Sequence, residues 1–464
     1  MFDVDRDAIT DGPIAPTLLV LAAPLLIQNV VQVLQQLVDT LWLGRHSLEA
    51  VAAVGLNFPL VALLGVVIIG SMVGTQVLVA QHVGGDRPEQ ARRAAVTGIV
   101  LGVGVGAIVG FVTILLAEPI VGIFGADEVT TTFAAQYLAM YALFLPVLAA
   151  SDVLEGGFVG WGDARAALWI NGLAVGVNIV LDPFLIFGWG PFPELEVAGA
   201  AMATGIGYGC GFALGLAMFV SGRDGFVLTR DVARFDVEDC REIVDIGWPM
   251  TGQHTVSQLA RVAMVWIVAA VGGAVAVAAY TIGARVASVA FVPAMGLQQA
   301  AQSMIGQNLG AIRPERARRT TWTGVAIAAG ALTVVGAIQF AIPETISWAV
   351  MPEAEASEIA LAADYLVILA IGYWAIGATY LFQAGFNGAR RTRTSMIASL
   401  LQYWAVRLPL AIVLAYPLGW DVHGVFWAVT ISNIVAAIGL GIYYHVQTDS
   451  GMNERAAEMT VIES

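Results

Sequence analysis

Two aspartates, Asp39 and Asp182, interrupt apolar runs long enough to cross a bilayer, and each has company suited to binding a small hard cation. Asn178 precedes Asp182 by four residues, so the two share one helix face. Asp39 lies a few residues before the end of its own run, and Asp182 about six residues before the end of the other. Thr204 and Tyr137 enter from that same side and, at about 1.5 Å per residue, reach comparable depths. Carboxylate, amide and hydroxyl oxygens are the ligands a proton or Na⁺ would use. Two desolvated carboxylates side by side cannot both stay ionised at low cost, so either ion would neutralise the pair. The rival reading is structural, with each aspartate satisfied by backbone or hydroxyl groups. It suits Thr204 and Tyr137 better than the acids, because a carboxylate inside a membrane is expensive to keep without a use. Pro183 follows Asp182 directly and frees the carbonyl of Ile179 from its helical hydrogen bond. Pro24 weakens the run that carries Asp39, so the two prolines are candidate hinges.

Such residues must be held by membrane-spanning helices, and the composition demands them. Hydrophobic residues fill 58% of the 464 positions and charged residues only 12%, half of what a soluble chain carries. The expected fold is an all-α polytopic membrane protein with about twelve spans. These fall near 17–42, 50–80, 94–118, 132–155, 164–188 and 196–221, then 241–270, 275–305, 319–341, 358–386, 394–417 and 424–445. The domain reading is an N-terminal segment 1–16, a six-helix bundle 17–221, an acidic linker 222–240, a second bundle 241–445 and a tail 446–464. The acidic N-terminus runs straight on into a full-length span, unlike a cleaved leader.

Charge sets orientation and habitat. All 21 basic residues are arginine, and the net charge is −14. That sign argues against a nucleic-acid partner, and an acidic surface fits a proteome adapted to high salt, an archaeal halophile's. Fifteen arginines sit in alternate connections, from Arg87, Arg92 and Arg93 to Arg390, Arg391 and Arg393, and only Arg45 lies in the opposite set. The positive-inside rule then puts both termini in the cytoplasm of a multi-pass cell-membrane protein. Arg261, Arg285 and Arg407 are left near mid-span, either braced by carbonyls or helix ends, or lining a cavity. With Gln35 they are the candidates for a substrate cavity. The two cysteines, Cys210 and Cys240, are too few for a disulfide framework or a metal site.

The chain also repeats itself. QHVGGDRPEQARRAAVTG (81–98) matches QNLGAIRPERARRTTWTG (307–324) at ten of eighteen positions. GGFVGWGDAR (156–165) echoes AGFNGARRTR (384–393), and Pro24 and Gln28 answer to Pro249 and Gln253. Six spans per half is even, so both copies enter the membrane in the same direction, with a central cleft between two bundles. That arrangement suits alternating access.

At these residues the chain resembles the multidrug and toxic compound extrusion (MATE) family. The resemblance covers about 15–445 and rests on VDTLWLG (38–44), the two RPE–ARR loops, NIVLDPFLIFG (178–188) and VAGAAMAT (197–204). It looks closest to the archaeal, DinF-like branch. What it implies is a secondary active antiporter that exports organic cations or amphiphilic drugs in exchange for H⁺ or Na⁺. It would have no cofactor beyond that ion, with the lipid bilayer and the small-molecule substrate as partners, acting as a monomer. The ion-coupling residues carry over as Asp39, Asn178, Asp182, Thr204 and Tyr137; Asp39, Asn178, Asp182 and Thr204 would ligate Na⁺ if Na⁺ is the ion. The second half departs from this pattern, with Met264 aligned to Asp39 and Leu408 to Asp182. Its one acid near a span end is Asp364. The rival readings are a lipid-linked oligosaccharide or lipid flippase of the same superfamily, an intramembrane enzyme and a channel. No HExxH or GxSxG supports an enzyme.

Overall fold

The computed structural model describes residues 9–124, 127–350 and 355–462. Of the expected terminal segments, positions 1–8 and 463–464 lie outside them. The described chain is helical. In order come α1 (Ile14–His46), α2 (Leu48–Gly84), α3 (Pro88–Gly122), α4 (Glu128–Trp161), α5 (Ala164–Phe187) and α6 (Glu196–Ser221). A short turn, Arg223–Gly225, precedes α7 (Val237–Gly273). Helix α8 runs in two pieces, Val275–Ser288 and Phe291–Gly310. Then follow α9 (Pro314–Ala341), the short α10 (Pro343–Val350), α11 (Ala356–Gly388), α12 (Thr392–Ala415), α13 (Asp421–Asp449) and α14 (Met452–Ile462). Among the described residues, eleven helices are long and apolar enough to cross a membrane, or twelve counting α8 as one bent span. The backbone does not stop between α7 and α8: it continues helically through a single break at Gly273 (φ 64°, ψ −156°), a conformation open only to glycine.

Large apolar side chains are exposed along the spans, including Leu41, Ile108, Phe111, Leu115, Val262 and Trp266. In water this would be a liability, but in lipid it is the surface a spanning helix needs.

The sequence repeat reappears as repeated backbone. Asp86 and Ile312 both take φ 56°, and the next residues, Arg87 and Arg313, both cap a helix whose first residue is proline. The arginine amides close the same turns, with Arg87 N donating to His82 O (2.9 Å) and Arg313 N to Asn308 O (2.8 Å). Glu196 and Asp421, which open α6 and α13, share positive φ at 52° and 47°.

The compact units are not cut at the linker. One unit takes Ala23–Thr251; the other takes Gly252–Ser464 together with Asp3–Ala22. The expected bundles, 17–221 and 241–445, therefore exchange their leading ends. Arginines of the two repeated segments hold the chain just before those ends. In the first unit Arg92 donates to Gly225 O (2.8 Å), and Arg93 forms a paired contact with Asp239 (2.8 and 3.2 Å), so the segment before α7 is fixed. In the second unit Arg313 donates to Thr10 O (2.6 Å) and to the Asp11 carboxylate, while Arg316 donates to Ile9 O (3.2 Å) and Gly12 O. The Arg313 guanidinium holds the Asp11 carboxyl below the usual carboxylate range.

Inside the first unit, close helix contact is built from glycine. A Cβ on Gly110 of α3 would stand 2.4 Å from Ala142 O of α4, and one on Gly207 of α6 would stand 2.4 Å from Ala174 O of α5. The second contact matters most here, because it presses the middle of α6 onto the turn of α5 just before Asn178.

Candidate functional site

Four helices of the first unit deliver the expected cluster. Gln35 and Asp39 are one turn apart on α1, Asn178 and Asp182 one turn apart on α5, Thr204 lies on α6 and Tyr137 on α4. Gln35, Asn178 and Asp182 are buried, while Asp39, Thr204 and Tyr137 are half-buried.

Asn178 is the hub. In one setting of its amide it accepts from Gln35 Nε2 (2.9 Å) and donates to Asp182 Oδ1 (3.3 Å) and Thr204 Oγ1 (3.2 Å). In the reverse setting it donates to Asp39 Oδ1 (3.2 Å) and accepts from Thr204 through both hydroxyl and backbone N–H, each at 3.2 Å. One amide thus ties α1, α5 and α6 together, whichever acid it serves. The Thr204 hydroxyl also donates back to Ala200 O (3.0 Å).

Asp39 and Asp182 lie within hydrogen-bonding reach of each other. Two ionised carboxylates have no donor between them, and the buried Asp182 Oδ2 then has no partner. A proton on either acid turns the contact into a charge-assisted hydrogen bond, and a small cation would serve the same oxygens. No basic side chain acts on either acid among the described residues. Tyr137 stands within electrostatic reach of both and stacks on Tyr141, with ring centroids 6.4 Å apart.

An aromatic cluster closes the end of the unit beyond the acids. Trp42, three residues past Asp39, packs edge-on against Phe187 (6.2 Å) and Trp189 (6.1 Å), and Arg45 lies over the Trp42 ring at 5.1 Å. The spacing from the acids was readable in the sequence, but aromatics near a span end usually mark the lipid interface, so the packing was not.

The substrate-cavity candidates are divided between the two units. Gln35 is bonded to Asn178 in the acid cluster. Arg407, in the second unit, is buried and donates from Nε to Ser432 Oγ (2.8 Å) and from Nη2 to Asn433 Oδ1 (2.5 Å), with Tyr403 beneath it at 4.5 Å. Its braces are side chains, where carbonyls or helix ends were expected, and a π-helical turn, Leu401–Arg407, presents it. Arg261 and Arg285 are exposed. Pro24 and Pro183 lie inside α1 and α5 as expected. Met264 and Leu408 are buried in one apolar core with Tyr365, Tyr373 and Phe426, so the second half fills with hydrocarbon the place where the first keeps acids. Asp364 is largely exposed and pairs with His423 at 3.1 Å.

Two intramembrane acids escaped the sequence reading. Asp152 and Glu155 lie a turn apart near the far end of α4, and Glu155 accepts from Gln28 Nε2 at 2.7 Å. Their signal was present, since SDVLEGG sits at the end of an apolar run, but an end position reads as a loop flank until the helix is seen to continue to Trp161.

The helices are those of a multi-pass membrane protein, and one of its units holds a buried polar cluster. The MatE family model matches residues 24–184 and 249–413, most of the chain and both halves of its repeat, and the chain belongs to that family. It is 29% identical to the multidrug resistance protein NorM of Burkholderia vietnamiensis, over 93% of each chain. It is 27% identical to a FAD transporter of Shewanella oneidensis, over 96% of each. Among solved structures, a MOP superfamily transporter from Pyrococcus furiosus superposes with a TM-score of 0.90 at 22% identity, covering 97% of this chain and 99% of the other. A multidrug resistance MATE family transporter in its outward-facing conformation gives 0.90 at 22% identity, over 96% and 98%.

Proposed function

We propose that this chain is a secondary active efflux antiporter in which Asp39 and Asp182 bind the coupling ion. The observation that supports this reading is the buried Asp182 carboxyl in reach of the half-buried Asp39, with Asp182 Oδ2 left without a donor until a cation arrives. Ion binding there ties α1 to α5, and Pro24 gives α1 a place to bend, so occupancy at the acids is converted into helix shape. The ion is H⁺: one proton satisfies the carboxyl pair by itself. Na⁺ would draw on Asp39, Asn178, Asp182 and Thr204 together. We place the chain in the DinF-like branch, as a monomer in the cell membrane of a salt-adapted archaeon, with both termini cytoplasmic and no cofactor but the ion. Organic cations and amphiphiles are the substrates.

The test is efflux from proteoliposomes under an imposed H⁺ or Na⁺ gradient, with a dye panel that includes FAD because the named relatives differ in cargo. Asp39→Asn and Asp182→Asn keep size and an amide but remove the charge, and no buried charged partner is stranded by the change. Both variants are expected to purify normally, bind dye and lose gradient-driven efflux. Full efflux by both would end the proposal.

A further inference from the structure

Two further acids inside a span of the first unit form a second cluster. Asp152 and Glu155 project from α4 at a spacing of three, so they share a face. Tyr137 and Tyr141 lie on that same face: Tyr137 and Glu155 are eighteen residues apart, five full turns and about 27 Å along the axis. Glu155 is 94% buried by its 6% exposure. Gln28 of α1 donates to its Oε2, but its Oε1 has no hydrogen-bond partner, and neither has Gln28 Oε1. Asp152 acts on Glu155 electrostatically, and the other titratable groups in reach are Tyr141 on α4 and Tyr208 on α6. No arginine or histidine acts on either acid among the described residues.

We infer that Asp152, Glu155 and Gln28 form a second proton-binding site, distinct from the Asp39–Asp182 pair and set toward the other end of α4. Two carboxylates a turn apart, Glu155 buried and Asp152 half-buried, without a basic partner among the described residues, would repel each other through a low-dielectric interior. One proton removes that repulsion and supplies the donor that the orphaned oxygens lack. The repeat offers an internal contrast. In the second half the aligned positions are Tyr380 and Gln383, and Gln383 donates to Ser399 (3.3 Å), a neutral pair that needs no proton. Tyr137 and Tyr141, stacked between the two acid pairs, line the interval along α4.

Infrared difference spectra of the protein in a lipid film, recorded as the bathing pH is stepped, test this directly. They read the carbonyl band of protonated carboxylic acids and need no transport. The Asp39→Asn, Asp182→Asn double variant is expected to retain one such band. Adding Glu155→Gln, which preserves shape and the Gln28 contact, should abolish it, and adding Asp152→Asn instead should shift or abolish it. Each is an independent read if the other fails to fold. A band unchanged by both substitutions, or no band in the starting double variant, would overturn the inference. Loss of efflux in the Asp39 and Asp182 variants does not enter either outcome.

Discussion

At the scale of single residues, what separates the two halves is the use of a place, not its shape. The backbone turns around Arg87 and Arg313 agree within a few degrees, yet where one half sets Asp39 and Asp182 the other sets Met264 and Leu408 in an apolar core. Met264 is almost wholly buried, so Met264→Asp puts a carboxylate into the apolar core that also holds Tyr365, Tyr373 and Phe426. The expected result is a loss of stability of about 3 kcal/mol, read as lowered thermal stability in detergent, with ion stoichiometry unchanged. Normal stability with an altered stoichiometry would make the halves equivalent. The acids themselves were legible, because a charge inside an apolar run stands out in any sequence. Their hydrogen-bond partners were less so: nothing in the spacing of Gln35 separates a residue that faces a cavity from one that bonds Asn178, since both are consistent with the same helix face. Asp152 and Glu155 were missed for a related reason, as acids at the end of an apolar run look alike on paper whether the helix stops there or continues to Trp161.

At the scale of helices, spans were legible and their seams were not. Apolar length finds a helix but is silent on whether the next one follows without interruption, as α8 follows α7 through Gly273. Nor does it tell which glycine is a contact. Gly207 and Gly176 have the same chemistry, but a Cβ on Gly207 meets the Ala174 carbonyl at 2.4 Å while one on Gly176 meets nothing within 4 Å. Gly207→Ala is therefore expected to force α5 and α6 apart at a cost of about 1–3 kcal/mol, and to weaken efflux by moving Asn178 away from Thr204. Gly176→Ala should be neutral or stabilise by up to about 1 kcal/mol, from helix propensity alone. Thermal unfolding of the two variants side by side decides it; equal effects would mean that the α5–α6 contact does not position the site.

At the scale of the molecule, arginine placement carries the topology. Cysteine substitutions in a Cys210→Ala, Cys240→Ala background test it. Glu194→Cys and Asp421→Cys are expected to react with a membrane-impermeant thiol reagent applied outside intact cells, and Arg87→Cys and Arg316→Cys to react only after permeabilisation. The reverse pattern would invert the orientation and the direction of transport built on it. The spans and their pairing into repeats were readable, though the short α10 and α14 were not. The exchange of leading ends was not, since it depends on which arginine loop each segment meets, and two loops that match at ten of eighteen positions look like equivalent hosts.

That exchange has a consequence for the order in which the protein is made. The segment before α7 meets Arg92 and Arg93, which the ribosome has already delivered, and can dock as it emerges. Residues 9–12 have the opposite fate: their hosts, Arg313 and Arg316, are translated about 300 residues later, roughly 15–60 s at ~5–20 residues per second. For that interval the chain's first span sits in the bilayer with its leading end unseated. The two clasps belong to the two copies of one repeated segment, though not to aligned arginines, and biosynthesis makes one of them early and the other late.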